Sequence, residues 1–406
     1  MELRTMSKFV CKHPWTHFEV NNPNGDVTMC CNNDMVMGNV NEGSIEEIWN
    51  GEKFQDARRR MRDDGALSMC PHTCPVLQGG KKYENIDWLD KLSEDGEPHK
   101  NAVLNDEEYD RGDTALESTP RWLRFTYSYA CNLDCYHCYQ REDAKIRAKL
   151  PDKFMAEMAE FAERSQVVFP FGGEPFFFSP VVAFLENYNT NLETRFMFIT
   201  NATLLTDRIY EILEKLTISG FAVSLDAASE PSFDLLRVRG RNATWQAVME
   251  NLRRLSELKQ RKGFSLTLGM TVNRVNCHEI EDFVDLALEH DSEPLLLLVS
   301  NPFQTVDFQK SYLVFDDKQL QDMFAQIERS LAKVRQAGLE DAEVHLKLLR
   351  ANLRNHQLSE NNPALFRAKS TARAAYHQLP EFLQLPIRRV VQGARGKRLA
   401  ENLPDD

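Results

Sequence analysis

Residues 131–138 read CNLDCYHC and place three thiols, Cys131, Cys135 and Cys138, on one short stretch. A structural zinc site normally closes with four ligands. A disulfide framework needs an even number of cysteines in a small oxidised domain. Three thiolates can instead hold three irons of a cubane [4Fe–4S] cluster, and the fourth iron is then open to another ligand. A zinc ion that borrows a distant fourth ligand is the other reading of the same spacing.

The chain has 406 residues, too many for one simple core, so two or three units are expected. Apolar residues make up 42% and charged residues 27%, the balance of an ordinary globular protein. The net charge of −12 argues against a nucleic-acid binder, whose footprint is basic. The longest apolar run, PLLLLV at 294–299, is far below a membrane span, and the first residues lack the apolar core of a signal peptide. These features place the protein in the cytoplasm, where thiols stay reduced and bind metal or react rather than cross-link. Eight of the nine cysteines fall within the first 138 residues, which concentrates that chemistry.

Around the thiols, residues 120–301 alternate short β-rich runs with helical patterns. Strands are predicted at 121–130, 166–171, 195–200, 220–227, 265–272 and 294–300. Helices are predicted near 151–164, 180–190, 206–217, 243–260 and 278–290. The fold class is therefore α/β, a partial (β/α)6 barrel around a parallel sheet. Near-continuous apolar strands suggest a sheet covered on both faces. Residues 1–78 hold five cysteines and a helix that starts at a capping box, Ser44 with Glu47. Residues 79–119 are acidic and read as a linker with a short helix at 84–93. Residues 302–406 lack cysteine and read as a helical extension, with helices at 316–337 and 343–357. Its basic end, LPIRRVVQGARGKRL, reads as a solvated helical face and frayed terminus, or else as a surface for a partner peptide or an anionic lipid.

The three cysteines follow the first predicted strand, at the functional end of a parallel barrel. The second strand ends FGGEP at 171–175. With both motifs in register, the region about 120–300 resembles the radical S-adenosylmethionine superfamily. That signature, C-x3-C-x-φ-C, is matched by Cys131, Cys135 and Cys138, with His137 at the usually aromatic φ position. The resemblance implies a [4Fe–4S] cluster that binds S-adenosyl-L-methionine at its open iron. Reductive cleavage then gives a 5′-deoxyadenosyl radical, which takes hydrogen from a substrate. It further implies that Gly172, Gly173, Glu174 and Pro175 hold the methionine end, with Glu174 accepting from its ammonium. Ser224 and Asp226 would meet the ribose, Arg239 the carboxylate, and Asn201 and Asn273 the cofactor from strands three and five. Strand-end capping is the alternative for Asn201, Ser224, Asp226 and Asn273, and a solvated charge for Arg239.

The N-terminal cysteines resemble an auxiliary iron–sulfur domain of the SPASM/twitch type, here ahead of the barrel instead of after it. The resemblance implies one auxiliary [4Fe–4S] cluster on Cys11, Cys30, Cys70 and Cys74, with Cys31 as a possible substitute. A zinc ion on four cysteines, or on three with His13 or His72, is the other reading. The linker would let this unit cap the barrel mouth. Cys277 lies near a predicted helix start, where a thiol pKa falls, and would donate hydrogen to a substrate radical or else pack as an inert thiol.

The sequence thus reads as a radical enzyme acting on a peptide or a sugar-like small molecule by dehydrogenation, epimerisation or cross-linking. Its electron donor would be a flavodoxin or ferredoxin. The competing functions are a non-catalytic iron–sulfur electron carrier and a zinc-binding interaction protein. No nucleic-acid partner is expected.

Overall fold

Six runs of β-branched and aromatic residues become parallel strands at nearly the positions their composition predicts. The structure, a computed structural model, describes residues 11–71, 74, 92–138, 140, 148–189, 193–237, 243–299 and 312–361. The described residues open with helix α1 (His13–Thr16) and strands β1 (His17–Val20), β2 (Asp26–Thr28) and β3 (Gly38–Asn39). Helices α2 (Ile45–Trp49), α3 (Glu52–Asp64) and α4 (Glu97–Arg111) follow. The parallel strands are β4 (Trp122–Thr126), β5 (Val167–Phe171), β6 (Arg195–Thr200), β7 (Thr217–Ser224), β8 (Ser265–Val272) and β9 (Glu293–Leu298). Between them run α5 (Asp152–Ala162), α6 (Ser179–Asn187), α7 (Asp207–Lys215), the additional α8 (Glu230–Leu236), α9 (Trp245–Lys262) and α10 (Ile280–Glu289). Helices α11 (Asp317–Gln336) and α12 (Glu340–Asn361) form the expected helical extension.

Among the described residues the nine strands share one sheet in the order β3-β2-β1-β4-β5-β6-β7-β8-β9. The mixed α/β architecture and the run of parallel strands from β4 to β9 match the expected partial barrel. One face buries Leu123, Phe125, Val168, Phe196, Phe198, Phe221, Val223, Leu266, Leu268 and Leu296. Burial of each such side chain contributes about 1.5–3 kcal/mol. Among the described residues the other face is not fully covered, although the apolar strands suggested it would be. Residues of β6 alternate between buried and half-buried, and Leu297 of β9 is 50% exposed. That open inner face carries Arg124, Phe171, Met197, Ile199, Ala222 and Ser224.

The N-terminal segment is joined to the barrel sheet instead of standing apart. Strand β1 pairs parallel with β4, from His17↔Trp122 to Val20↔Phe125. Strand β2 returns antiparallel to β1, with Glu19↔Thr28. The chain divides into two compact units, Met1–Leu349 and Arg350–Asp406. The expected linker holds α4, and its inward side is polar. Asn105 Nδ2 donates to the Trp15 carbonyl at 2.7 Å, and Asn101 Nδ2 to the carbonyls of Thr119 and Arg164 at 3.0 Å each. Buried Arg58 donates to the carbonyls of Pro14 at 2.9 Å and Thr114 at 2.7 Å. These side chains satisfy backbone acceptors that would otherwise be stranded under the sheet edge. The capping box of Ser44 and Glu47 forms at α2. The helix expected at 84–93 falls mostly outside the described residues, as does the basic C-terminal stretch. No helix of the described residues is long and apolar enough to cross a membrane.

Candidate functional site

The polar residues that matter lie past the C-terminal ends of β4 to β8, where parallel strands release their chain into loops. The cysteine loop follows β4. Cys131 and Cys138 are half-buried and Cys135 is 8% exposed. Each of two sulfurs meets N–H donors. Cys131 Sγ accepts from the Leu133 amide at 3.4 Å and from Asn201 Nδ2 at 3.6 Å. Cys135 Sγ accepts from Arg237 Nη1 at 3.7 Å. Burial pushes the Cys131 thiol up to about 12 and raises that of Cys135. These thiols therefore keep their protons until a metal displaces them.

The glycines after β5 are required by geometry. Gly172 has φ +90° and Gly173 φ +28°. A Cβ on Gly173 would stand 1.8 Å from the Ala130 carbonyl oxygen, and one on Gly172 would stand 2.5 Å from Thr126 Cγ2. The motif thus presses against the chain entering the cysteine loop, and Gln140 Oε1 accepts from the Gly173 amide at 3.1 Å.

The carboxylate of Glu174, the expected ammonium acceptor, already has partners within the protein. It is 0% exposed. Oε1 accepts from Thr200 Oγ1 at 2.8 Å, and Oε2 from the Asn201 amide at 2.8 Å. It braces the end of β5 to the end of β6 and so aims Asn201 at Cys131. Pro175 is the first residue of a short 3-10 turn whose Phe176 packs against Phe198 and Phe221 in the core.

Asp226 is the centre of the site. It is 2% exposed and adopts φ +61°, a conformation that suits aspartate better than most residues. Its Oδ2 lies 2.8 Å from His137 Nε2 and 2.5 Å from Arg237 Nη2. Its Oδ1 accepts from the Thr271 amide at 2.6 Å. Burial alone would raise its pKa, but Arg237 and His137 outweigh that and hold it well below the usual carboxylate range. Burial works against the charge on Arg237 too, and Asp226 overcomes it. The ribose role expected for Asp226 would compete with these partners.

Other expectations are redistributed. Asn273 is spent on its own turn, with Nδ2 donating to the Thr271 carbonyl at 2.9 Å and Oδ1 accepting from Val275 at 2.8 Å. Ser224 is half-buried at the end of β7. Arg239 lies outside the described residues. Cys277 does not sit at a helix start, because α10 begins at Ile280 with Glu279 as its cap. Its thiol is buried and raised to about 11 by desolvation and by Asp322, the opposite of the lowered pKa expected, and its Sγ takes a contact from Gln319 of α11 at 3.7 Å. Of the two roles expected, burial and these contacts favour inert packing over hydrogen donation. Sequence reasoning missed Arg237, Asn132, Thr200 and Gln140. Arg237 was detectable as the residue that ends the helical run EPSFDLL.

The second set of thiols lies at the other end of the strands. Cys11 precedes α1 and β1, and β2 carries Cys30 and Cys31 back toward the N-terminal ends of β1 and β4. The N-terminal unit therefore does not cap the C-terminal mouth. Burial raises the Cys11 thiol to about 11. Asn33 ties the Cys30 turn to the Cys70 loop, donating to the Met69 carbonyl at 3.0 Å and contacting Cys70 Sγ at 4.0 Å. Cys31 is lowered to about 6 by the neighbouring Cys30 thiol and by Arg124, while Cys30 is raised. The His13 ring lies 3.9 Å from that of His17, tilted by 33°, and burial lowers His13 to about 4; His72 lies outside the described residues.

Among the described residues, no three His, Cys, Asp or Glu side chains converge on one metal ion. A single zinc would need the sulfurs to draw together. A cubane gives each thiolate its own iron, and N–H donors to sulfur are the environment such a ligand uses. The donor sets at both ends fit that group.

Two buried acids lead to a pH prediction. Burial raises Glu174 and Glu19 to about 7, despite the hydrogen bonds on the first and Arg124 beside the second. The folded chain then keeps protons that the unfolded chain releases near 4.5, so stability falls as pH rises through that window. The loss is about 3 kcal/mol per group. Urea unfolding at pH 5 and pH 7.5 should show a shallower fall for Glu19→Gln than for wild type. Equal slopes would contradict the placement of Glu19.

The family described as the Radical SAM superfamily matches residues 125–287, and the SPASM iron–sulfur cluster-binding domain matches residues 11–75. The chain carries a radical SAM domain preceded by a SPASM domain, which implies S-adenosylmethionine with a [4Fe–4S] cluster and an auxiliary iron–sulfur site. The SPASM match begins at Cys11 and takes in Cys30, Cys31, Cys70 and Cys74. The AdoMet-dependent heme synthase of Methanosarcina barkeri is 27% identical over 43% of this chain and 49% of its own length. Mycofactocin maturase MftC of Mycolicibacterium smegmatis is 28% identical over 45% of each. The matched region thus spans about half the length of these curated relatives. Streptococcus suis SuiB bound to precursor peptide SuiA is 19% identical, with a TM-score of 0.41, over 72% of this chain and 62% of its own.

Proposed function

We propose that the protein is a radical SAM enzyme that abstracts hydrogen from an organic substrate, a peptide or a small molecule. The observation that carries this reading is the convergence of Cys131, Cys135 and Cys138 with the glycine motif, Asn201, Asp226 and Arg237 at one end of a parallel sheet. Cys131, Cys135 and Cys138 hold the catalytic cluster. Cys11, Cys30, Cys70 and Cys74 hold one auxiliary cluster, with Cys31 the substitute for Cys30. The bound cluster and S-adenosylmethionine supply a 5′-deoxyadenosyl radical by one-electron reductive cleavage.

The chain's own residues do the positioning. Gly172 and Gly173 let the β5 loop lie flat against the cysteine loop, and Glu174 fixes the end of β6. Asn201 and Arg237 donate to the thiolates, and Asp226 holds Arg237 and His137. The half-open inner face runs between the two thiol sets and receives the substrate. Arg124 stands there over Phe171 at 4.2 Å, with Nη1 3.2 Å from Glu19. Its buried Nε has no partner among the described residues, so a donor remains for a polar substrate group. A small one-electron carrier such as a flavodoxin or ferredoxin is the class of donor the cluster needs. The mycofactocin maturase and heme synthase relatives support substrates of different chemistry, so they favour the reaction class over any one compound.

The test is anaerobic reconstitution with iron and sulfide, followed by dithionite and S-adenosylmethionine. Wild type should form 5′-deoxyadenosine, and Cys131→Ser, Cys135→Ser and Cys138→Ser should each lower it at least a hundredfold. A reducible cluster with no cleavage, across substrate-free and extract-supplemented samples, would point to the carrier function instead.

A further inference from the structure

Of the three thiols after β4, Cys131 meets neutral donors, whereas Cys135 meets a charged one. Arg237 Nη1 stands 3.7 Å from Cys135 Sγ. The guanidinium comes from the residue that ends α8, is 8% exposed, and is held from behind. Its Nη2 lies 2.5 Å from Asp226 Oδ2, the same oxygen that faces His137 Nε2 at 2.8 Å. Asp226 is itself fixed, with Oδ1 accepting from Thr271 at 2.6 Å and its carbonyl accepting from Asn276 Nδ2 at 2.8 Å. One ion pair therefore grips the cysteine loop at two points, a sulfur and an imidazole, and anchors both to the β7 and β8 ends. A guanidinium suits this place because its planar fork can address a sulfur and a carboxylate at once, which an ammonium does less well.

We infer that Arg237 sets the reduction potential of the cluster held by Cys135, by a charge-assisted hydrogen bond to that sulfur, with Asp226 and His137 as the residues that position it. The inference rests on the reading of Cys131, Cys135 and Cys138 as cluster ligands. One-electron reduction by an external donor adds one negative charge to the cluster and changes no bond to the protein. Hydrogen bonds to sulfur and a nearby positive charge favour the more negative state, so they raise the potential. Arg237 thus makes the electron easier to deliver from a weak physiological donor.

The experiment is a reductive titration of the full chain, reconstituted without oxygen and followed by electron paramagnetic resonance. Dithionite with redox mediators is the probe, and S-adenosylmethionine is left out. Wild type, Arg237→Met and Arg237→Gln are compared, with iron counted in each. At a fixed ambient potential the ratio of reduced to oxidised catalytic cluster should fall at least tenfold in Arg237→Met, which is about 59 mV for one electron. Arg237→Gln, which keeps a neutral N–H, should fall by less. The N-terminal cluster's signal should not move and serves as the internal control.

A midpoint equal to wild type in either variant that retains its iron overturns the inference, as does an equal shift of both clusters. If Arg237→Met fails to hold iron, the Arg237→Gln midpoint decides by the same two outcomes. A wild type that holds no reducible cluster, or forms no 5′-deoxyadenosine, would instead remove the reading on which the inference stands.

Discussion

Gly173→Ala should leave the protein unable to hold its catalytic loop. The new Cβ would lie 1.8 Å from the Ala130 oxygen and 2.8 Å from its carbonyl carbon, and both are backbone atoms that no rotamer change can move. The residue also sits at φ +28°, where an L side chain is strained. Either the β5 loop or the chain entering Cys131 must shift, and the Gly173 amide would lose Gln140 as acceptor. A loss of about 4 kcal/mol or more follows, a large part of a domain's total stability. The same substitution at Gly263 is the control, because φ there is +73° but no atom lies within 4 Å. It should cost about 1–2 kcal/mol. Urea unfolding and iron retention under argon read both. Wild-type stability and iron in Gly173→Ala would contradict the loop packing described.

Asp226→Asn should be nearly as damaging for an electrostatic reason. Asparagine tolerates the positive φ, so the backbone is spared and the charge alone is removed. Arg237 would then be a buried cation without its counter-ion, beside an imidazole that has lost its acceptor. Breaking a buried pair in this way costs about 3–5 kcal/mol. Because the Asp226 pKa is depressed in the folded chain, its contribution is present above the ordinary carboxylate range and is lost as pH falls below it. The wild-type advantage over Asp226→Asn should therefore shrink in acid. The check is the urea midpoint at pH 7 and pH 3; a difference under 1 kcal/mol at pH 7 would remove Asp226 from the centre of the site.

The barrel was legible because its strands are short, apolar and evenly punctuated. Strand β6 was expected at 195–200 and spans Arg195–Thr200, and α11 fell within the expected 316–337. The cysteine spacing and FGGEP were legible for the same local reason. What was not legible depends on pairing and burial. HFEV is four residues long and carries a glutamate, so nothing in it announced β1 as an added barrel strand. Helix α4 hid inside an acidic stretch because its buried face is Asn101, Asn105 and Glu108, which bond to backbone instead of forming an apolar stripe. Its caps, Gly96 and Gly112, with Pro98 in the first turn, were the signal available.

Roles were harder to read than positions. Glu174 lay where the motif put it, yet three-dimensional packing gave its carboxylate to Thr200 and Asn201. Cys277 looked like an activated thiol only while it was placed at a helix start. Arg237 acts through a contact across 102 positions of sequence, which no spacing rule reveals.

Two clusters on two separate sets of thiols would show themselves in a count of iron and sulfide. Anaerobically reconstituted wild type should carry about eight irons and eight sulfides per chain, two cubanes' worth. The triple variant Cys131→Ser, Cys135→Ser, Cys138→Ser should keep about four of each and lose all 5′-deoxyadenosine formation. No iron in wild type, or an iron count that the triple variant leaves unchanged, would contradict the account.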